Sequence, residues 1–222
     1  MIRADKRGPL AWWWARYIDG RLRRAFRGIW VRGALPGPDA RVLAYANHTN
    51  FWDGFLAHAI SRAAGWDGHC AMEEQNLARY RFLRRLGAFS VRRGDPRATV
   101  ETLRYARGLL RSPGTAVFLF PEGVLRSGAR TLAPLERGLE VLARASKATC
   151  LPFAIRYAFF EHELPDVLLD VGQAHAPEPI EHSSERLAAL VAGVHAAPSL
   201  DGFVPLVRGG ASIAERWDAL RT

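Results

Sequence analysis

The sequence predicts a single α/β domain with a mainly parallel central sheet flanked by helices, preceded by an amphipathic N-terminal helix. Three observations carry this expectation. Short apolar runs alternate with longer segments of helical periodicity along most of the 222 residues. Runs such as Val42-Leu43-Ala44-Tyr45-Ala46 are apolar at every position, as strands buried on both faces must be. No internal repeat or low-complexity linker divides the chain, and its length suits one sizeable domain. The N-terminal helical segment is expected over residues 1–34 and the main domain over 35–222.

Residues 9–30 carry Leu10, Trp13, Trp14, Tyr17, Ile18, Leu22, Phe26 and Ile29 at helical spacing, with Arg16, Asp19, Arg23 and Arg27 mainly on the other side. Aromatic residues bordering arginines suit a helix lying at a lipid–water interface; a helix covering the protein's own core shows the same pattern. Gly20 and Gly28 weaken this helix and mark a break. Residues 35–39, Leu-Pro-Gly-Pro-Asp, form a turn that hands over to a strand at 42–46. A helix is expected over 55–64, a strand over 69–72, a short basic helix over 79–86 and a strand over 87–91.

Asp95-Pro96 then starts a helix, with Asp as N-cap and Pro at the first helical position. It runs to about residue 111 with Val100, Leu103, Leu109 and Leu110 inward, and Ser112-Pro113-Gly114 stops it. An apolar strand over 115–120 delivers Pro121-Glu122-Gly123. A helix over 134–145, strands over 148–155 and 167–171, and helices over 184–196 and 212–220 complete the chain. Ligands in such sheets gather at the carboxyl ends of strands. The segments bearing His48, Arg93, Glu122 and Arg156 are each expected just past a strand end.

The charge balance is basic: 31 Lys plus Arg against 22 Asp plus Glu, a formal net of +9, nearly all of the positive charge being arginine. This points to an anionic partner (lipid, nucleic acid or a phosphorylated metabolite), or to charge that serves solubility. Nucleic acid is not favoured, because the strands are apolar and no basic-aromatic strand set or recognition-helix pattern is present. Cys70 and Cys150 lie far apart and outside any metal-ligand spacing, as buried thiols in a reducing compartment do. His58 and His69 read as core or surface histidines; His162, His175, His182 and His195 form no metal spacing, and no metal is expected. No run approaches the roughly 18 apolar residues of a membrane-spanning helix. The patch over residues 10–15 is short, is followed by Arg16 and lacks a cleavage site. A cytoplasmic protein is expected, peripheral on the inner face of the membrane.

The stretch richest in chemistry is Asn47-His48-Thr49-Asn50-Phe51-Trp52-Asp53. An imidazole takes a proton near neutral pH, and a carboxylate on its other nitrogen fixes the tautomer and stabilises the imidazolium. On a continuous helix, positions five apart are rotated by about 140°. His48 and Asp53 therefore meet only across a turn that leads into a helix.

This segment resembles the H-x4-D motif of the glycerolipid and lysophospholipid acyltransferases. Gly87-Ala88-Phe89-Ser90-Val91-Arg92-Arg93-Gly94 is similar to that family's second motif, Phe120-Pro121-Glu122-Gly123 to its third, and Leu151-Pro152-Phe153-Ala154 to its fourth. The four occur in the family's order over roughly residues 40 to 157. The resemblance implies an O-acyltransferase that moves a fatty acyl group from acyl-CoA or acyl carrier protein, as co-substrate, to a lipid hydroxyl. The acceptor implied is a lysophospholipid such as 1-acylglycerol-3-phosphate, with no cofactor. His48 would be the general base and Asp53 would orient it. Arg93, by alignment the second-motif arginine, with Arg92 beside it and Glu122, Gly123 and Arg126 of the third, would hold the acceptor. Where many members read Glu-Gly-Thr-Arg-Ser, this chain reads Glu122-Gly123-Val124-Leu125-Arg126-Ser127. The departure bears on the acceptor more than on the chemistry. It leaves open a carotenoid glycoside, an amino lipid or another hydroxylated lipid, and beside these a non-catalytic lipid-binding relative at the membrane surface.

Overall fold

In a computed structural model, residues 1–160, 162–210, 213, 217 and 221 are described. The helix expected over 212–220 lies, apart from Ile213 and Trp217, outside the described residues. The order of elements is α1 (Pro9–Ala25), β1 (Gly28–Arg32), β2 (Val42–Ala46), α2 (Asp53–Ala64), β3 (Asp67–Glu73), α3 (Glu74–Arg79), a 3-10 segment (Arg81–Leu86) and β4 (Ala88–Val91). There follow α4 (Pro96–Leu109), β5 (Thr115–Leu119), α5 (Gly138–Ser146), β6 (Thr149–Ala158), β7 (Asp166–Val171), α6 (Ile180–Ala196) and β8 (Val204–Arg208).

The described strands form one sheet in the order β4-β3-β5-β2-β6-β7-β1-β8. Pairing is parallel throughout except between β6 and β7 and between β1 and β8. Alternation along β2 divides the core into its two faces: Val42, Ala44 and Ala46 pack with α1, α2 and α3, and Leu43 and Tyr45 with α4, α5 and α6. The sheet is thus covered on both sides, which is why β2 is buried at every position.

Several expectations are corrected. The N-terminal helix ends at Ala25, not near residue 30, because residues 28–32 are extended and lie between β7 and β8. Ile29, expected on the helix's apolar side, is instead buried in that strand. Of the apolar residues on α1, Ile18 and Leu22 enter the core. Leu10, Trp12, Trp13 and Tyr17, in its first turns, remain exposed at 42–67%. The basic helix expected over 79–86 is a 3-10 segment over Arg81–Leu86, stopped at Gly87 with φ of 99°, and α3 precedes it unanticipated. On α4 the Asp95 carboxylate accepts the Ala98 N–H at 3.1 Å as expected of an N-cap. Of the positions expected inward, Leu110 just past its end is buried and Leu103 and Leu109 are partly buried against the core, while Val100 is exposed. Thr102 and Ala106 are the buried positions within the helix. Arg156 lies inside β6 rather than past its end, and β8 was not anticipated.

Among the described residues no helix is long and apolar enough to cross a membrane. Cys150 is buried and Cys70 partly so, and both are free thiols.

Candidate active site

The sheet order puts β5 directly beside β2, so the chain leaving β2 at His48 runs next to the chain leaving β5 at Glu122. Alternation continues beyond both strands. His48 follows Ala46 and Phe120 follows Phe118 on the α2 face, and the two rings stack with centroids 4.5 Å apart. The imidazole is partly exposed on a largely buried support.

Between β2 and α2 the chain turns through residues 49–52, which brings Asp53, the first residue of α2, back to His48. His48 Nδ1 and Asp53 Oδ2 are 2.8 Å apart. Asp53 is completely buried, and Oδ2 also accepts the backbone N–H groups of Thr49 and Asn50 at 2.8 and 2.9 Å. Oδ1 accepts the Tyr157 hydroxyl at 2.6 Å. Four donors compensate the removal of this carboxylate from water. A carboxylate so donated to is an acceptor, which makes His48 Nδ1 the protonated nitrogen and leaves Nε2 to accept a proton.

Asn47, between strand and histidine, extends the β2–β6 ladder by its side chain. Its Nδ2 donates to the Ile155 carbonyl at 2.9 Å and its Oδ1 accepts the Ile155 N–H at 2.8 Å. Glu122 does a similar service toward β5. Its Oε1 accepts the His48 N–H at 3.0 Å, and its Oε2 accepts the Ala133 N–H at 2.9 Å and Arg126 Nη1 at 3.2 Å. The Arg126 backbone N–H donates to the His48 carbonyl at 2.8 Å. The loop after β5 is thereby pinned to the histidine by its side chain at one end and its backbone at the other.

The expected acceptor-binding residues divide. Glu122, Gly123, Arg126 and Arg93 form one cluster. Arg93 donates to the Gly123 carbonyl and to Glu136 Oε1, the latter at 3.0 Å, and Arg126 donates to the Thr131 carbonyl at 2.7 Å. Gly123 has φ of 71°, and a Cβ there would lie 2.7 Å from both Arg93 Nη2 and Glu136 Oε1, so the turn requires glycine. Arg92 points away from this cluster, to Glu74 at the start of α3, and holds that carboxyl below its usual range. Arg156 is likewise outside the site: its guanidinium donates to the carbonyls of Val194, His195 and Ala197 at the end of α6.

Backbone N–H groups beside His48 are already bonded: those of Thr49 and Asn50 to Asp53, and that of Gly123 to the Phe120 carbonyl at 2.9 Å. Cys70, on β3, faces the same region; burial, then the Asp53 charge, pushes its thiol up to about 12, so it carries no thiolate. Among the described residues no group of three or more His, Cys, Asp or Glu is placed to hold a metal ion.

Sequence reasoning missed Asn47, Phe120 and Tyr157. The first two stood inside the quoted motifs, unassigned. Tyr157 had a readable signal, since period two along β6 places Phe153, Ile155 and Tyr157 on the face that His48 occupies.

Residues 29–156 match the model of a family described as Acyltransferase. No curated protein sequence matches significantly. Among solved structures, the fold is similar to the crystal structure of the 1-acyl-sn-glycerophosphate (LPA) acyltransferase, PlsC, from Thermotoga maritima, with a TM-score of 0.58 and 18% identity over 85% of this chain and 83% of that one. At this identity the likeness is one of fold. The family match spans more than half of the chain and takes in the His48, Arg93 and Glu122 segments together, and on that ground the chain belongs to the acyltransferase family.

Proposed function

We propose that this protein transfers a fatty acyl group from acyl-CoA or acyl carrier protein to the hydroxyl of a lysophospholipid, with 1-acylglycerol-3-phosphate as the leading acceptor. The observation that carries the reading is the 2.8 Å contact of His48 Nδ1 with the buried Asp53 carboxylate beside an arginine-bearing loop. His48 Nε2 takes the proton of the acceptor hydroxyl as its oxygen attacks the thioester carbonyl. The tetrahedral intermediate collapses to an ester and a thiolate, which recovers that proton from the imidazolium. No acyl-enzyme and no cofactor are needed. Base assistance of this kind contributes about 10²- to 10⁴-fold.

Arg93 and Arg126 would hold the acceptor phosphate with the donors they do not spend on Gly123, Glu136, Glu122 and Thr131, guanidinium forks being matched to phosphate. Glu122 and Gly123 shape the loop that carries them. Arg92, tied to Glu74, contributes only to the local positive field. The exposed Leu10, Trp12, Trp13 and Tyr17 of α1 support peripheral attachment to the inner face of the cytoplasmic membrane, where such acceptors reside.

A second reading, an acceptor hydroxyl on a lipid without phosphate, is favoured by Val124 and Leu125. Both are 47% exposed where a hydroxyl and an arginine are usual. Free-thiol release from long-chain acyl-CoA and acyl carrier protein decides, with lysophosphatidate and neutral hydroxylated lipids as acceptors. The proposal expects turnover that His48→Ala abolishes, and a raised KM for lysophosphatidate alone in Arg126→Ala and Arg93→Ala. If neither arginine variant alters that KM, the phosphate site is elsewhere. Flotation with anionic vesicles that is undiminished in Trp12→Ala/Trp13→Ala would remove the role of α1.

A further inference from the structure

Three of the four hydrogen bonds on Asp53 come from its own turn and are made within five residues. The fourth comes from β6, 104 residues away in sequence, and is the shortest: the Tyr157 hydroxyl donates to Oδ1 at 2.6 Å. Such a bond stabilises the ionised carboxylate and draws negative charge away from Oδ2, the oxygen that faces His48. Burial, then the Asp53 charge, raises the Tyr157 phenol far above its ordinary range, so the hydroxyl stays protonated and donates.

The ring of Tyr157 is itself placed. Phe26, just past α1 and 2% exposed, has its ring 5.7 Å from Tyr157 and 5.4 Å from Trp52, so one aromatic side chain braces both flanks of Asp53. Among the described residues, other titratable or charged groups set around the His48–Asp53 pair include Glu122 and Arg126 from the loop after β5 and Cys70 from β3. Of these, Glu122 and Arg126 bond to the His48 backbone. Among the described residues, Tyr157 is the donor that reaches the carboxylate from outside its own turn.

We infer that Tyr157 is a positioning residue for this pair: its hydroxyl keeps Asp53 ionised and aligned and limits the proton affinity of His48, so that the imidazole is neutral when an acceptor hydroxyl arrives. This rests on the reading of His48 as the general base. Without the hydroxyl, the charge of Asp53 concentrates on Oδ2 and Oδ1 is left buried and unpaired. Both changes make the pair bind a proton more tightly.

The test compares the full-length wild type with Tyr157→Phe and with protein carrying 3,5-difluorotyrosine at position 157, a nearly isosteric and stronger donor. The first readout is the NMR titration of the His48 ring without substrate. The midpoint is expected to rise by about 0.5 to 1 pH unit in Tyr157→Phe and to fall in the fluorinated protein. The second is the pH dependence of kcat/KM, whose rising limb should move the same way in each, with kcat in Tyr157→Phe down about tenfold and KM within about twofold. A His48 midpoint unmoved in both proteins, or moved in the same direction in both, overturns the inference. The fluorinated protein retains the ring and the hydroxyl, so the test stands even if Tyr157→Phe folds poorly. Full activity in His48→Ala would remove the general-base reading instead, and the NMR titration, which needs no turnover, tells the two failures apart.

Discussion

The backbone N–H of His48 is bonded to the side chain of Glu122, at 3.0 Å, and not to a neighbouring strand. The carboxylate thus joins the ends of β2 and β5, and its second oxygen holds the Ala133 N–H and Arg126. Position of the base and shape of the loop beside it are one mechanical unit.

Glu122→Ala leaves two backbone N–H groups without their acceptor. It is expected to destabilise the fold by about 2–5 kcal/mol and to abolish turnover. Glu122→Gln, able to accept only through its carbonyl, should cost roughly half as much. Urea unfolding measures both, and a loss below about 1 kcal/mol in the alanine variant would show that the bridge is not structural.

Asn47→Ala removes the side chain that caps both the N–H and the carbonyl of Ile155. A loss of about 2–4 kcal/mol is expected. Asn47→Asp should lose at least as much, because a carboxylate cannot donate to the carbonyl. Thermal unfolding of the two proteins side by side gives the comparison, and an aspartate variant as stable as wild type would contradict it.

Gly123→Ala places a Cβ at positive φ and against Arg93 and Glu136. The backbone alone costs about 1 kcal/mol, and the displaced arginine should raise the acceptor KM several-fold while the unfolding free energy falls by about 1–2 kcal/mol. Steady-state kinetics with lysophosphatidate, alongside urea unfolding, would show both effects. An unchanged KM would separate Arg93 from acceptor binding.

His58 of α2 faces α1, and its Nε2 is buried without a hydrogen-bond partner, 3.8 Å from Asp19. Burial lowers its pKa to about 4; Asp19 opposes the shift, and Arg62 and Lys6 add to it. The native pKa is below the ordinary value of 6.5, so unfolded chains take up the proton first as pH falls. The stability of the neutral, buried ring is complete above pH 6.5 and is lost progressively as pH falls toward 4. Between pH 7 and pH 5 this amounts to about 2 kcal/mol. His58→Leu should flatten that part of the pH dependence in urea titrations at the two pH values. An identical slope in wild type and variant would exclude it.

Much of the architecture was legible in the chain itself. Continuous apolar runs marked β2 and β5, the Asp95-Pro96 pair marked the start of α4, and the geometry of a five-residue offset required the turn that joins His48 to Asp53. These features are encoded within a few residues, where burial on both faces, capping and helical pitch act locally. Two strands escaped. β1 sits where a helical pattern tails off, and β8 is a mostly exposed edge whose residues do not alternate cleanly.

Local patterning was enough for the αβ alternation, the helix-starting turn between base and carboxylate, and the placing of Arg92 and Arg93 just past a strand end, but not for Arg156, which lies within β6. Only the tertiary structure decided which of these arginines share a site. Arg93 reaches the Glu122 loop, whereas Arg92 goes to Glu74 and Arg156 to the end of α6. It also decided that Asp53 is completed by Tyr157 and His48 by Glu122. The reason is physical: a buried N–H, C=O or carboxylate must find a partner wherever the packed chain supplies one. That partner is fixed by sheet order across a hundred residues and not by the residues alongside it.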